Sequence, residues 1–371
     1  MFIFDETARN SCYECPSIVN STQIKQYFPA LTGVRAIAAY LVFFHHYNPF
    51  SVERFGAVLN QFVREFHVGV SVFFVLSGFL IAHRYFHQTE KFNRRAYLVN
   101  RIARVYPMYF IVTTIAFIFS NSSWAVYLFN ITFLRGFFDD LKFTLVSQGW
   151  SLTVEECFYL LAPIAFLFIR RYRWALFATP VALVALGLAM VLVFGNRTEH
   201  GFFDNNRFMF IYTFFGRCFE FFCGVGLAVY FKKYKHWKLS FTWVGFMLTL
   251  MVVFSMSRLG SPGVSGVQSN LGIMLNNFLL PICIACSFYG LLHERTILQR
   301  LLSSGVSVVL GKASYVFFLI HVGVIASSID KLAGGNLVLL FMLLNVTAII
   351  GWWVLEEPLG KLIRRLAVTQ A

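Results

Sequence analysis

Charge is what this chain has least of. Only 13% of its 371 residues are charged, and acids are the scarcer half, 17 against 31 basic residues. With 58% hydrophobic residues and a mean hydropathy of +0.67, too little polar surface remains to clothe a soluble domain. Linkers rich in Pro, Gly or Ser are missing, so no second soluble domain is expected, and no internal repeat is visible. Alternating apolar and polar runs are missing too, which excludes a membrane β-barrel. The apolar runs are long and continuous, and they predict an all-α, polytopic transmembrane helical bundle. The first 28 residues are polar, with Asp5, Glu6 and Glu14, and lack the apolar core of a signal peptide.

Metal-binding patterns are also scarce. The seven cysteines are an odd number. Cys157, Cys218, Cys223, Cys283 and Cys286 sit in apolar runs and read as small hydrophobes. Cys12 and Cys15 form one isolated C-Y-E-C, which reads as part of a tail, so no metal is expected.

Ten spans are predicted, near residues 31–48, 67–83, 105–120, 150–169, 174–194, 208–231, 240–257, 270–292, 314–329 and 336–355. The stretch 124–135 is apolar but short and reads as interfacial or re-entrant. With both termini inside, inner segments carry 21 basic residues and outer loops 8. That asymmetry favours the N-in, C-in arrangement. It also explains the net charge of +14 by topology rather than by nucleic-acid binding. The expected layout is a polar tail over 1–28, a membrane domain over 29–365 and a short tail over 366–371.

Polar residues inside such spans are the candidates for chemistry, because each costs several kcal/mol unless it faces protein or water (roughly 2.5–3.5 on insertion scales). The first span carries Arg35 and His46, eleven positions apart. Eleven helical steps make three turns plus roughly 20°, so the two share a face about 16 Å apart along the axis. His45 falls about 80° off that face, and Ala38, Ala39 and Val42 fill the stripe between. Arg101 and Arg104, three apart just before the third span, form a basic pair suited to a cofactor's phosphates or to lipid headgroups. Glu155 and Glu156 lie one turn into the fourth span, at the depth assigned to His46. A carboxylate beside an imidazole would orient it and raise its basicity, as a general base requires. Arg217 and Glu220 can neutralise each other within their span. Ser71, Ser77 and Gly78 suit close helix contact. His321 is a second buried titratable group.

Taken together, the chain resembles the acyltransferase-3 family of integral-membrane O-acyltransferases. The likeness covers roughly residues 27–365. It rests on Arg35 with ten residues to His46, F-F-V-L-S-G-F-L-I, Arg101-x-x-Arg104 before Tyr106-Pro107, W-S-L-T-V-E-E-C-F-Y, S-Y-V-F-F-L-I-H and L-E-E-P. Cys157 stands where Gln is common, and Glu357 where a basic residue often precedes the proline. The resemblance implies that Arg35, His46 and Glu155 are catalytic and that Arg101 and Arg104 hold an acyl-CoA donor, with acetyl-CoA expected. It implies that the acyl group passes to a sugar hydroxyl of a surface polysaccharide, lipopolysaccharide or lipid-linked glycan. Trp150 and His321 are then expected substrate contacts, and the cell inner membrane is the expected location. The form expected is the one without a C-terminal esterase-like domain. The competing reading is a secondary transporter using Arg35, His46, Glu155 and His321 as a proton or anion relay.

Overall fold

A computed structural model describes residues 27–86, 93–231 and 240–369. Cys12, Cys15 and nearly all of the expected N-terminal tail lie outside the described residues, as do Lys91 and Lys232. The described chain is helical, and its one strand-like pairing is a bridge between Phe138 and Phe202.

At the centre stands α1 (Pro29–His46). Pro29 opens it at a position where a missing N–H costs nothing. It packs between α2 (Gly69–Tyr85) and α9 (Gly305–Ile320). Ala38 and Ala39 are fully buried, and Gly69 seats its backbone directly on the Ala38 carbonyl. Ala38 and Ala39, in the stripe between Arg35 and His46, are therefore a packing surface and not the wall of an open path, while Val42 lines a cavity at the His46 end. Around this centre lie α3 (Arg94–Ile118), α4 (Trp150–Arg171), α5 (Ala175–Phe194), α6 (Phe214–Tyr230), α7 (Phe241–Leu259) and α8 (Leu280–His293). The chain continues through α10 (Val324–Ala333), α11 (Leu337–Gly351) and α12 (Glu357–Thr369).

Helices α2 and α6 approach each other closely. A methyl group added at Gly78 would come within 2.1 Å of the Phe221 carbonyl oxygen, and one at Gly224 within 2.0 Å of that of Val75. Small residues let the two backbones touch, as the sequence pattern suggested. On the periphery α5 is apolar all round. Val181 and Leu192 are 70% and 78% exposed, the signature of a lipid-facing helix.

Among the described residues eight helical segments are long and apolar enough to cross a membrane, nine if the bent pair α9–α10 counts as one span. The expected span missing from that set is α1, whose Arg35, His45 and His46 lower its hydropathy. The expected span 314–329 is corrected. Helix α9 begins earlier, at Gly305, and the chain bends by 102° into α10. The bend sits at His321–Gly323, where Gly323 adopts φ +96°, a conformation that only glycine reaches easily. The Arg101/Arg104 pair lies within α3 rather than before it. Asn93 caps the helix by accepting from the Ala96 N–H, and Pro107 is carried inside. The short stretch after α3 forms a two-turn helix, Trp124–Ile131, followed by a tight turn, consistent with a segment that does not cross.

Candidate active site

Two cavities lie along α1. The first holds about 90 Å³ and collects Arg35 from α1, Ser77 from α2, Arg101 and Arg104 from α3, and Glu155 and Tyr159 from α4. Arg104 pairs with Glu356 at 3.2 Å. Arg101 lies over the Tyr159 ring, 5.4 Å from its centroid. Glu155 accepts hydrogen bonds from the Ser77 hydroxyl at 2.5 Å and from the Tyr159 hydroxyl. The Nε–H groups of Arg35 and Arg101 are buried without a hydrogen-bond partner. Each unmade bond costs about 1–3 kcal/mol. Three guanidinium groups thus share two carboxylates, and donors are left over for an anion.

The second cavity holds about 420 Å³ and is lined by His45, His46 and His67 on one side and by Gln148, Trp150, Tyr212, Arg217 and Gln268 on another. His46 is exposed to it. The Trp150 ring meets Tyr212 edge-on at 5.1 Å, and Arg217 lies 5.8 Å from the Trp150 centroid. Arg217 is held in turn by two 2.8 Å hydrogen bonds to Glu220, the expected neutralising pair. His45 donates Nδ1–H to the Arg64 carbonyl at 2.5 Å. His67 Nε2 lies 3.2 Å from Glu65 and 3.0 Å from Ser265. The His46 ring touches His45 at 5.0 Å and His321 at 5.4 Å.

The structure therefore brings Arg35, Arg101, Arg104 and Glu155 to one cavity, and His46 and Trp150 to the other. Glu155 is not beside His46. Its carboxylate is spent on Ser77 and Tyr159, so the expected His46–Glu155 dyad is not formed, and Glu156 lines neither cavity. His321 is fully buried behind His46 and does not line the cavity where substrate contact was expected. The continuous route is not open either. The cavities are distinct, and Val70 and Phe318 line both.

Sequence reasoning missed Tyr159, Glu356, His67 and Glu65. For Tyr159 a signal was present, since Glu155 and Tyr159 stand four apart on one helical face. For Glu356 none was, because its partner Arg104 is 252 positions earlier in the chain. Among the described residues no group of His, Cys, Asp and Glu is placed to hold a metal ion.

The family model described as an acyltransferase domain, acyltransferase-3, matches residues 28–357. The chain belongs to the acyltransferase-3 family. The O-acetyltransferase OatA of Staphylococcus aureus strain NCTC 8325 is 23% identical over 390 residues, covering 91% of this chain and 58% of the relative. A protein of Staphylococcus aureus strain COL, provisionally named as an O-acetyltransferase, is 23% identical over 346 residues, covering 81% of this chain and 51% of the relative. The chain spans about half the length of such curated relatives. No solved structure gives a significant match. This acyltransferase-3 protein is accordingly a multi-pass membrane protein of an acyl-transferring family.

Proposed function

We propose that the protein is a membrane O-acyltransferase that moves an acyl group, acetyl in the first instance, from cytoplasmic acyl-CoA to a sugar hydroxyl of a surface polysaccharide, lipopolysaccharide or lipid-linked glycan. One observation carries this reading: a cationic cavity and an imidazole cavity abut along a single helix, with Arg35 and His46 about 16 Å apart on it. The orientation that fits is N-in, C-in in the inner membrane, which puts the arginine cavity toward the cytoplasm.

Arg35, Arg101 and Arg104 then hold the donor's phosphates, and Arg104 is kept in place by Glu356. Glu155 fixes Ser77 and Tyr159 and sets the charge of that cavity. The pantetheine arm, about as long as the Arg35–His46 interval, carries the thioester past Val70 and Phe318. His46 takes the proton of the acceptor hydroxyl as its oxygen attacks the thioester carbonyl. Trp150 supplies a flat face for a sugar ring, and Gln148 and Gln268 offer hydrogen bonds to its hydroxyls.

The test is transfer itself. Proteoliposomes are supplied with labelled acetyl-CoA on the face carrying the arginine cavity and with glycan on the other. The expected result is ester-linked label on the glycan, lost in His46→Ala and Arg35→Ala proteins that still purify as folded monodisperse material. Full activity in either variant, or solute flux without any need for acyl-CoA, removes the reading.

A further inference from the structure

A general base needs one nitrogen free and the other held. His46 lacks the carboxylate expected to hold it, and the imidazole packed behind it offers what is missing. His321 ends α9, where its Nδ1 lies 2.8 Å from the Phe318 carbonyl oxygen. A carbonyl only accepts, so Nδ1 carries the proton and Nε2 is a bare lone pair. That Nε2 is buried and has no hydrogen-bond partner, in a residue with 0% exposure. Its ring lies 5.4 Å from that of His46, inclined by 45°.

The acceptor is also held rigidly. Gln148 donates to the Phe318 and Leu319 carbonyls at 3.0 and 2.6 Å and so clamps the end of α9. The Phe317 ring lies parallel to the His321 ring, with centroids 6.0 Å apart. The bend at Gly323 then takes the chain away. His45 also touches His46, but it lines the open cavity, where water can satisfy its free nitrogen. His321 has no such recourse, and among the described residues the only polar ring packed on it is His46.

We propose that His321 is a positioning residue for His46, its bare Nε2 accepting the N–H of the His46 imidazole and leaving the other His46 nitrogen facing the acceptor. This rests on the acyl-transfer reading above. In that reaction the free His46 nitrogen takes the hydroxyl proton as the new C–O bond forms. The C–S bond then breaks, and the proton passes from His46 to the departing thiolate. A modest rotation of the His46 ring, which has the cavity's space to turn in, closes the hydrogen bond from the rings' present contact.

Nitrogen-15 histidine NMR of the full-length protein in nanodiscs reads the contact without any assay of transfer. The wild type should show His46 as a single tautomer, with a coupling across an imidazole–imidazole hydrogen bond to His321. His321→Leu should give a tautomer mixture, while His321→Gln, which keeps an acceptor, should restore the single form. In the transfer assay His321→Leu should lower kcat about 100-fold with both KM values unchanged, and His321→Gln should recover part of that loss. A wild type without the coupling, a His46 tautomer unmoved in His321→Leu, full kcat in that variant, or control of the tautomer by His45 instead would each overturn the assignment. If His321→Leu does not fold, the wild-type coupling decides alone. If the wild type transfers nothing, the acyl-transfer reading fails while the NMR arm still rules on the contact.

Discussion

Arg217 and Glu220 show what a charge inside this bundle requires. Both are buried, and the guanidinium places four hydrogen bonds, on Glu220 twice, on Ser71 and on the Ile211 carbonyl. Removing the carboxylate leaves a buried cation with nothing opposite it, at a cost of about 3–5 kcal/mol. Glu220→Gln is therefore expected to lower the thermal midpoint of the detergent-purified protein by many degrees, and Glu220→Asp by less. Arg35 is the contrasting case. Its Nε–H is buried and unsatisfied, so removing it relieves a local cost while taking away a donor for an anion. On the proposed reading, Arg35→Ala should leave the midpoint within a degree or two of wild type and weaken acyl-CoA binding about 10-fold or more, measured by calorimetry. Helix periodicity alone made Arg35, His46 and the Arg217–Glu220 pair legible in the sequence, because each pairing is internal to one helix. The neighbours of Glu155 were not legible. Depth along two different helices depends on their tilt and stagger, and α4 is placed so that Glu155 reaches Ser77 on α2 and not His46 on α1.

At the scale of elements, chain ends and breaks carry the information that hydropathy lacks. The run S-Y-V-F-F-L-I-H-V-G-V is apolar throughout and reads as the start of a span, yet α9 stops inside it. Gly323 and the Gln148 clamp decide that, and neither is visible as a loss of hydrophobicity. Helix α7 shows a similar device at its start. Ser240 does not cap it, and Glu294, from just after α8, does so across space. Its carboxylate accepts from the N–H groups of Phe241 and Thr242 at 2.6 and 3.1 Å and from the Ser240 and Thr242 hydroxyls at 2.5 and 2.7 Å. Partial burial works against that charge, but the hydrogen bonds from Ser240, Thr242 and Phe241 outweigh it and hold Glu294 below the usual carboxylate value of 4.5. A depressed carboxylate stabilises the fold at pH values above its unfolded pKa, and the contribution is lost as pH falls through its folded pKa. Glu294→Gln should therefore cost about 1 kcal/mol near neutral pH. The difference from wild type should shrink toward zero as melts are repeated at pH values descending below 4.5. A difference that stays constant down to strong acid would show that the cap does not depend on the charge.

For the whole molecule, the arrangement that matters is two unlike cavities meeting at a thin partition. The cationic one holds about 90 Å³, too little for a nucleotide, so on the proposed reading it takes phosphates reached from outside and an arm passed inward. The imidazole one holds about 420 Å³, of the order of a sugar unit with water. Val70 and Phe318 stand where they join, and only Phe318 has a side chain that closes the gap by turning. Its backbone carbonyl, which anchors His321 and Gln148, is indifferent to the side chain. The backbone hydrogen bonds thus survive a change of side chain, while the Phe318 ring itself also packs on His321, with centroids 5.6 Å apart. On the proposed reading, Phe318→Trp should leave acyl-CoA binding and glycan binding unchanged and lower transfer about 10-fold or more, because the bulkier ring makes the partition between the two substrates harder to open. Phe318→Ala should keep transfer and add hydrolysis of acyl-CoA, since water then reaches the thioester through the widened gap. Both are read by following thiol release and ester formation in parallel, and equal transfer by Phe318→Trp and wild type would mean that the acyl group does not travel between these cavities.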